Sequence, residues 1–191
     1  MPSGQDFGAV VEAAARGEHE ALTNLFRAYQ PMLLRYLRSQ QADVADDVAS
    51  EVWIAAARRL HAFSGDESGF RRWLFTIARR RLIESRRKQA RQRSDVAPPD
   101  ELDGLEPGWQ SERVDPATLV VDQISAQQAL EAVVADLTPD QADVVLLRVV
   151  AGFDVAEVAT VMDRTPESVR VLCHRALRRL RARFPEGVLV E

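Results

Sequence analysis

Apolar side chains recur along this chain every third or fourth position, the spacing that gathers them on one side of an α-helix. From Asp6 to about Arg93 the recurrence runs through Leu22, Leu25, Phe26 and Tyr29, then Val44, Val48 and Val52, then Phe70, Leu74 and Ile77. Few breakers interrupt it, so the pattern predicts a bundle of helices. Residues 94–124 then carry Pro98, Pro99, Pro107, Pro116, Gly104 and Gly108 with few apolar side chains, and read as a flexible linker. The helical period resumes at Ser125 and continues to about Phe184. There Thr138-Pro139-Asp140-Gln141 supplies an N-cap, a proline at the first helical position and a capping-box glutamine. No alternating run bounded by turn residues reads as a strand, and no segment repeats at a fixed period. The expected fold is all-α: two small helical domains, 1–93 and 125–191, joined by the linker.

Close to the end, one helical pattern over 154–162 and a second from Pro166 to Phe184 flank Asp163-Arg164-Thr165, which is helix-turn-helix punctuation. Thr165 can cap the second helix, and Pro166 fits its first turn, where a missing N–H costs nothing. On that helix Val169, Leu172, Cys173, Ala176, Leu177 and Leu180 fall on a packed side. Glu167, Arg170, Val171, His174, Arg175, Arg178 and Arg181 fall on the other. A helix lying in a DNA major groove needs polar residues near its N-terminus to reach base edges and arginines further on to meet phosphates. Thr165, Glu167, Ser168, Arg170, Val171 and His174, with Arg175 and Arg178 beyond them, form such a set. A solvated arginine face on a terminal helix would have the same pattern.

The segment Phe70 to Lys88 reads as one long helix with dissimilar sides. Phe70, Leu74, Ile77 and Ala78 make its core stripe. Arg72, Arg79 and Arg86 recur at seven-residue intervals with Thr76, Arg80, Ile83 and Arg87 beside them, and Trp73 stands at the border of the two arcs. An aromatic ring beside a cationic track can hold a backbone by charge and stack on an unpaired base. The alternative is a core tryptophan with solubilising arginines.

Composition sharpens this picture. The chain has 191 residues, 46% of them hydrophobic, enough for one medium domain or two small ones. No run of about 18 apolar residues could span a bilayer, and Met1 to Asp6 lacks the basic-then-apolar order of a secretory signal, so the cytoplasm is the expected location. Cys173 is the single cysteine, and His19, His61 and His174 are scattered, so neither a disulfide nor a zinc site is expected; no metal or other cofactor is implied. The net charge of −4 hides a sorting: residues 71–93 hold ten bases and the acid Glu84, whereas residues 94–124 hold eight acids and the base Arg113. Nearly every base is arginine, Lys88 being the one lysine, which suits phosphate and guanine recognition and equally suits a GC-rich genome.

A third helix, Ala42 to Arg58, places Asp47 and Glu51 four apart on one face, where like charges cost about 0.2–0.5 kcal/mol. Asp46 and Asp47 suit the positive end of the helix dipole. Glu51 lies a turn beyond that effect, and a basic partner surface would account for it.

Asp46-Asp47-Val48-Ala49-Ser50-Glu51-Val52-Trp53, then Phe70 to Arg79 with Arg86 and Arg87, then the terminal helix-turn-helix through His174-Arg175-Ala176 together resemble the extracytoplasmic-function sigma factors of the sigma-70 family. The resemblance covers about residues 18–92 and 125–184, and the order and separation of the three motifs are more specific than any one of them. It implies a sigma-two-like domain, a sigma-four-like domain, and a non-catalytic subunit that directs core RNA polymerase to promoters without a small-molecule substrate. By the resemblance, Asp46, Asp47, Glu51 and Trp53 bind the β′ clamp helices, with the β subunit also a partner. Arg72, Trp73, Thr76, Arg79, Arg80, Arg86 and Arg87, with the loop from His61 to Gly69, read and melt the −10 element. The terminal domain reads the −35 element, the acidic linker threads the polymerase cleft, and an anti-sigma protein is an expected partner. Arg80 stands where asparagine is common, Glu84 where aspartate is common and Leu172 where arginine is frequent, which leaves base preference open. Two other readings of the residues are a dimeric helix-turn-helix repressor and a metal-dependent nuclease using Asp46, Asp47 and Glu51.

Overall fold

The computed structural model describes residues 4–96 and 126–183, all of whose regular elements are helical. The first group of α-helices is α1 (Gly4–Ala15), α2 (His19–Arg38), α3 (Ala45–Arg59) and α4 (Glu67–Val96); the second is α5 (Ala126–Val134), α6 (Pro139–Val149), α7 (Val155–Met162) and α8 (Pro166–Arg183). Residues 97–125, most of the expected linker, lie outside the described residues.

The apolar stripes read from the sequence become the core of the first group. Leu25, Tyr29, Leu33 and Leu37 of α2, Val48 and Val52 of α3, and Phe70, Leu74 and Leu82 of α4 are all buried. Burial of each such side chain is worth about 1.5–3 kcal/mol. That driving force carries α2 straight through Pro31, whose missing N–H would otherwise cost about 3 kcal/mol in a helix interior. Phe70 is the hub of an aromatic cluster, with the rings of Phe7, Tyr29, Phe63 and Trp73 centred 5.1–5.7 Å from its own. Asp66 starts α4 by accepting the Gly69 N–H on Oδ1 at 2.7 Å.

The second group is built around Val144, Leu146 and Leu147 of α6, Phe153, Val158 and Met162, and Val169 and Ala176 of α8. Its helix starts are set by local chemistry. Thr138 and Gln141 form the expected capping box at α6, with Pro139 in the first turn, and Asp154 and Glu157 form another at α7. Thr165 Oγ1 accepts the Ser168 N–H at 3.2 Å at the start of α8. Leu177, expected on the packed side of α8, is 48% exposed. It lies about 80° around the helix from Val169, at the outer edge of the stripe.

Candidate nucleic-acid interface

Three surfaces carry the side chains singled out in the sequence. On α3, Asp46, Asp47 and Glu51 are exposed on the side away from Val48 and Val52. Asp46 is met by Arg38 at 3.1 Å, and Glu51 lies 4.0 Å from Arg81; both are open pairs of little energetic weight. Trp53 is half-buried. Its indole N–H donates to Gln30 Oε1 at 2.6 Å, and its ring is centred 5.2 Å from that of Phe26. Phe26 of α2 and Ile54 of α3, 44% and 52% exposed, add apolar surface to these two helices. Sequence reasoning placed Phe26 in a buried stripe and did not single out Ile54 or Gln30; their positions depend on how α2 and α3 cross. No group of three His, Cys, Asp or Glu side chains among the described residues is arranged to hold a metal ion.

On α8, Glu167, Arg170, Val171, His174, Arg175 and Arg178 are exposed along one side, with Thr165 exposed just before the helix and Ser168 half-buried beside them. Arg170 makes an open pair with Glu167 at 3.3 Å. The cationic groups point outward from a helix whose opposite side holds Val169 and Ala176 in the core. Such a face matches the width and polarity of a duplex major groove. Cys173 is half-buried against the core.

The basic side of α4 is divided. Arg80 and Arg87 are exposed. Arg86 donates to Gln40 of the α2–α3 connection. Trp73 is half-buried against Phe63 and Phe70. Arg72, Thr76 and Arg79, expected on one open track, face the second helical group instead. There Arg79 Nε donates to Asp143 Oδ2 at 2.8 Å and its Nη2 donates to Asp140 at 3.2 Å, while Arg72 lies 4.0 Å from Glu157. Burial disfavours the Arg79 charge, but attraction and hydrogen bonding to Asp143 outweigh it and hold the guanidinium above the usual arginine range. A shallow cleft of about 430 Å³ between the groups is lined by Thr76, Arg79, Arg80, Thr160, Asp163 and Arg164.

Comparison with known proteins places the two helical groups in two family descriptions. Residues 25–92 match the family description Sigma-70 region 2, and residues 127–180 match Sigma-70, region 4. The chain is 34% identical over 179 residues to the ECF RNA polymerase sigma factor BldN of Streptomyces coelicolor, covering 93% of this chain and 65% of that one. It is 31% identical over 188 residues to the ECF RNA polymerase sigma factor ShbA of Streptomyces griseus, covering 92% and 93%. Among solved structures, the sigma factor RpoE of Bartonella quintana in complex with the anti-sigma factor NepR superposes with a TM-score of 0.66 at 22% identity, over 84% of this chain and 94% of that one. CnrH in complex with the cytosolic domain of CnrY gives 0.61 at 20% identity, over 91% and 94%. These two likenesses bear on the fold.

Proposed function

The chain belongs to the extracytoplasmic-function group of sigma-70-family RNA polymerase sigma factors, and from that membership we propose that it binds core polymerase and directs it to promoters with −10 and −35 elements. The observation that carries the proposal is the separation of two chemistries onto different faces: exposed carboxylates and exposed apolar surface on α3, and exposed cations on α8. Asp46, Asp47 and Glu51 meet a basic surface on the polymerase clamp, and Trp53 with Phe26 and Ile54 supplies the apolar contact. Glu167, Arg170, Val171 and His174 read base edges of the upstream element while Arg175 and Arg178 hold phosphates. The basic side of α4, with Trp73 at its border, captures bases of the melted downstream element. In this reading the chain contributes binding energy and positioning, and the covalent chemistry of RNA synthesis belongs to the polymerase. The anti-sigma complex of one structural neighbour, RpoE with NepR, supports an anti-sigma partner for this chain as well.

The deciding measurement is promoter-specific run-off transcription with purified core polymerase. The chain is expected to start transcription at a discrete site; a repressor would block such a start, and a nuclease would cut the template. Joint Asp47→Lys and Glu51→Lys substitutions are expected to abolish capture of core polymerase, because both sites are exposed and repulsion replaces attraction there. Unchanged capture by that variant would overturn the assignment of α3.

A further inference from the structure

Val171 differs in chemistry from its neighbours on the open side of α8. Its isopropyl group is 48% exposed, among Glu167, Arg170, His174, Arg175 and Arg178. With successive residues turned by about 100°, Val171 lies about 160° around the helix from Val169 and about 140° from Ala176, the two buried residues of α8. It therefore projects almost directly away from the core. Glu167, one turn earlier, is displaced from it by only about 40°. Arg170 and His174 fall to one side, by about 100° and 60°, and Arg175 to the other, by about 40°; Arg178 follows two turns further along.

When this face meets duplex DNA, the side chain at its crest reaches furthest into the major groove, and the flanking cations meet the phosphates on either side. A carboxylate is repelled by phosphate, and an isopropyl group gains nothing from it, so Glu167 and Val171 belong over base edges. Val171 has no side-chain donor or acceptor and cannot read the hydrogen-bond pattern of a base. One group on a major-groove edge suits it: the C5 methyl of thymine, the apolar substituent that distinguishes thymine there. Cytosine at the same place sets its amino group beside the side chain, and that donor loses water without gaining a partner. We infer that Val171 is a specificity-determining residue, which selects a T·A base pair within the upstream element by packing on the thymine methyl group. The inference deepens the sigma-factor reading and rests on it.

The test uses the full chain assembled with core polymerase on the promoter fragment of the run-off assay. Each thymine of the upstream element, on either strand, is replaced in turn by deoxyuridine, which deletes one methyl group and keeps every hydrogen-bonding group of the pair. One such replacement is expected to weaken binding of the parent complex about fourfold in competition, the worth of one buried methyl group. Val171→Ala introduces a stronger helix former at an exposed site, so the fold is expected to survive. That variant should bind the unmodified fragment at least about fourfold more weakly and be indifferent to the same replacement, because the methyl group and the side chain are two halves of one contact. An upstream element with no thymine on either strand, parent binding untouched by every replacement, or a variant that still loses about fourfold at the same thymine overturns the role of Val171. In each of those cases protection of the upstream element in a footprint leaves the sigma-factor reading standing. Absence of that protection together with silence in the run-off assay overturns the sigma-factor reading, and the thymine contact with it.

Discussion

Asp163 closes α7 with left-handed backbone, φ 54° and ψ 52°, the one non-glycine residue with positive φ among the described residues. Aspartate tolerates that region better than most residues, glycine better still, and a β-branched side chain worst. Asp163→Gly is therefore expected to raise stability by up to about 1 kcal/mol and Asp163→Val to lower it by about 1–2 kcal/mol. Urea denaturation followed by circular dichroism would measure both. The position of this turn was legible, because Thr165 and Pro166 mark the next helix start, but its hand was not, because no glycine announces it. The Thr138 capping box was legible in full, since both of its hydrogen bonds lie within four consecutive residues. Tyr36 is the opposite case. Burial, then the Asp143 carboxylate and its hydrogen bond, push its hydroxyl well above the usual tyrosine range, and that partner lies 107 positions away in the chain.

At the level of elements, the sequence shows which side of a helix is cationic but not what that side faces. On α8 the two agree, and the exposed arginines make a specific expectation possible. Arg170→Ala should weaken discrimination of the upstream element by about 1–3 kcal/mol, the worth of a good side-chain contact to a base, without loss of core polymerase binding. Footprinting of the assembled complex on promoters with matched and altered upstream elements would measure it. On α4 they part company. Its apolar stripe was correctly read, with Phe70, Leu74, Ile77 and Ala78 all buried, yet the arginine track beside it splits among solvent, α6–α7 and the α2–α3 connection. Periodicity assigns a residue to an arc of its own helix; the placement of a second helical group over that arc depends on Phe75, Phe153 and Asp143, which no local motif connects.

For the molecule as a whole, charge is segregated more than balanced. The eight acids of residues 94–124 offset a strongly basic α4, so the free chain carries a net −4 despite its many arginines. Replacing those acids by their amides should raise non-specific affinity for duplex DNA by at least about tenfold at low salt, measured by fluorescence anisotropy, with the gain lost as salt rises.

Glu157 divides its two oxygens between neighbours: Oε2 accepts the Asp154 N–H inside its own capping box, while Oε1 accepts the Ser68 hydroxyl across the boundary. Loss of the Ser68 contact would hand Oε1 to water and leave Oε2 in a capping box that lies wholly within 154–157. Ser68→Ala is thus expected to leave the helix content measured by circular dichroism unchanged, because the bonds that start α7 are local to it.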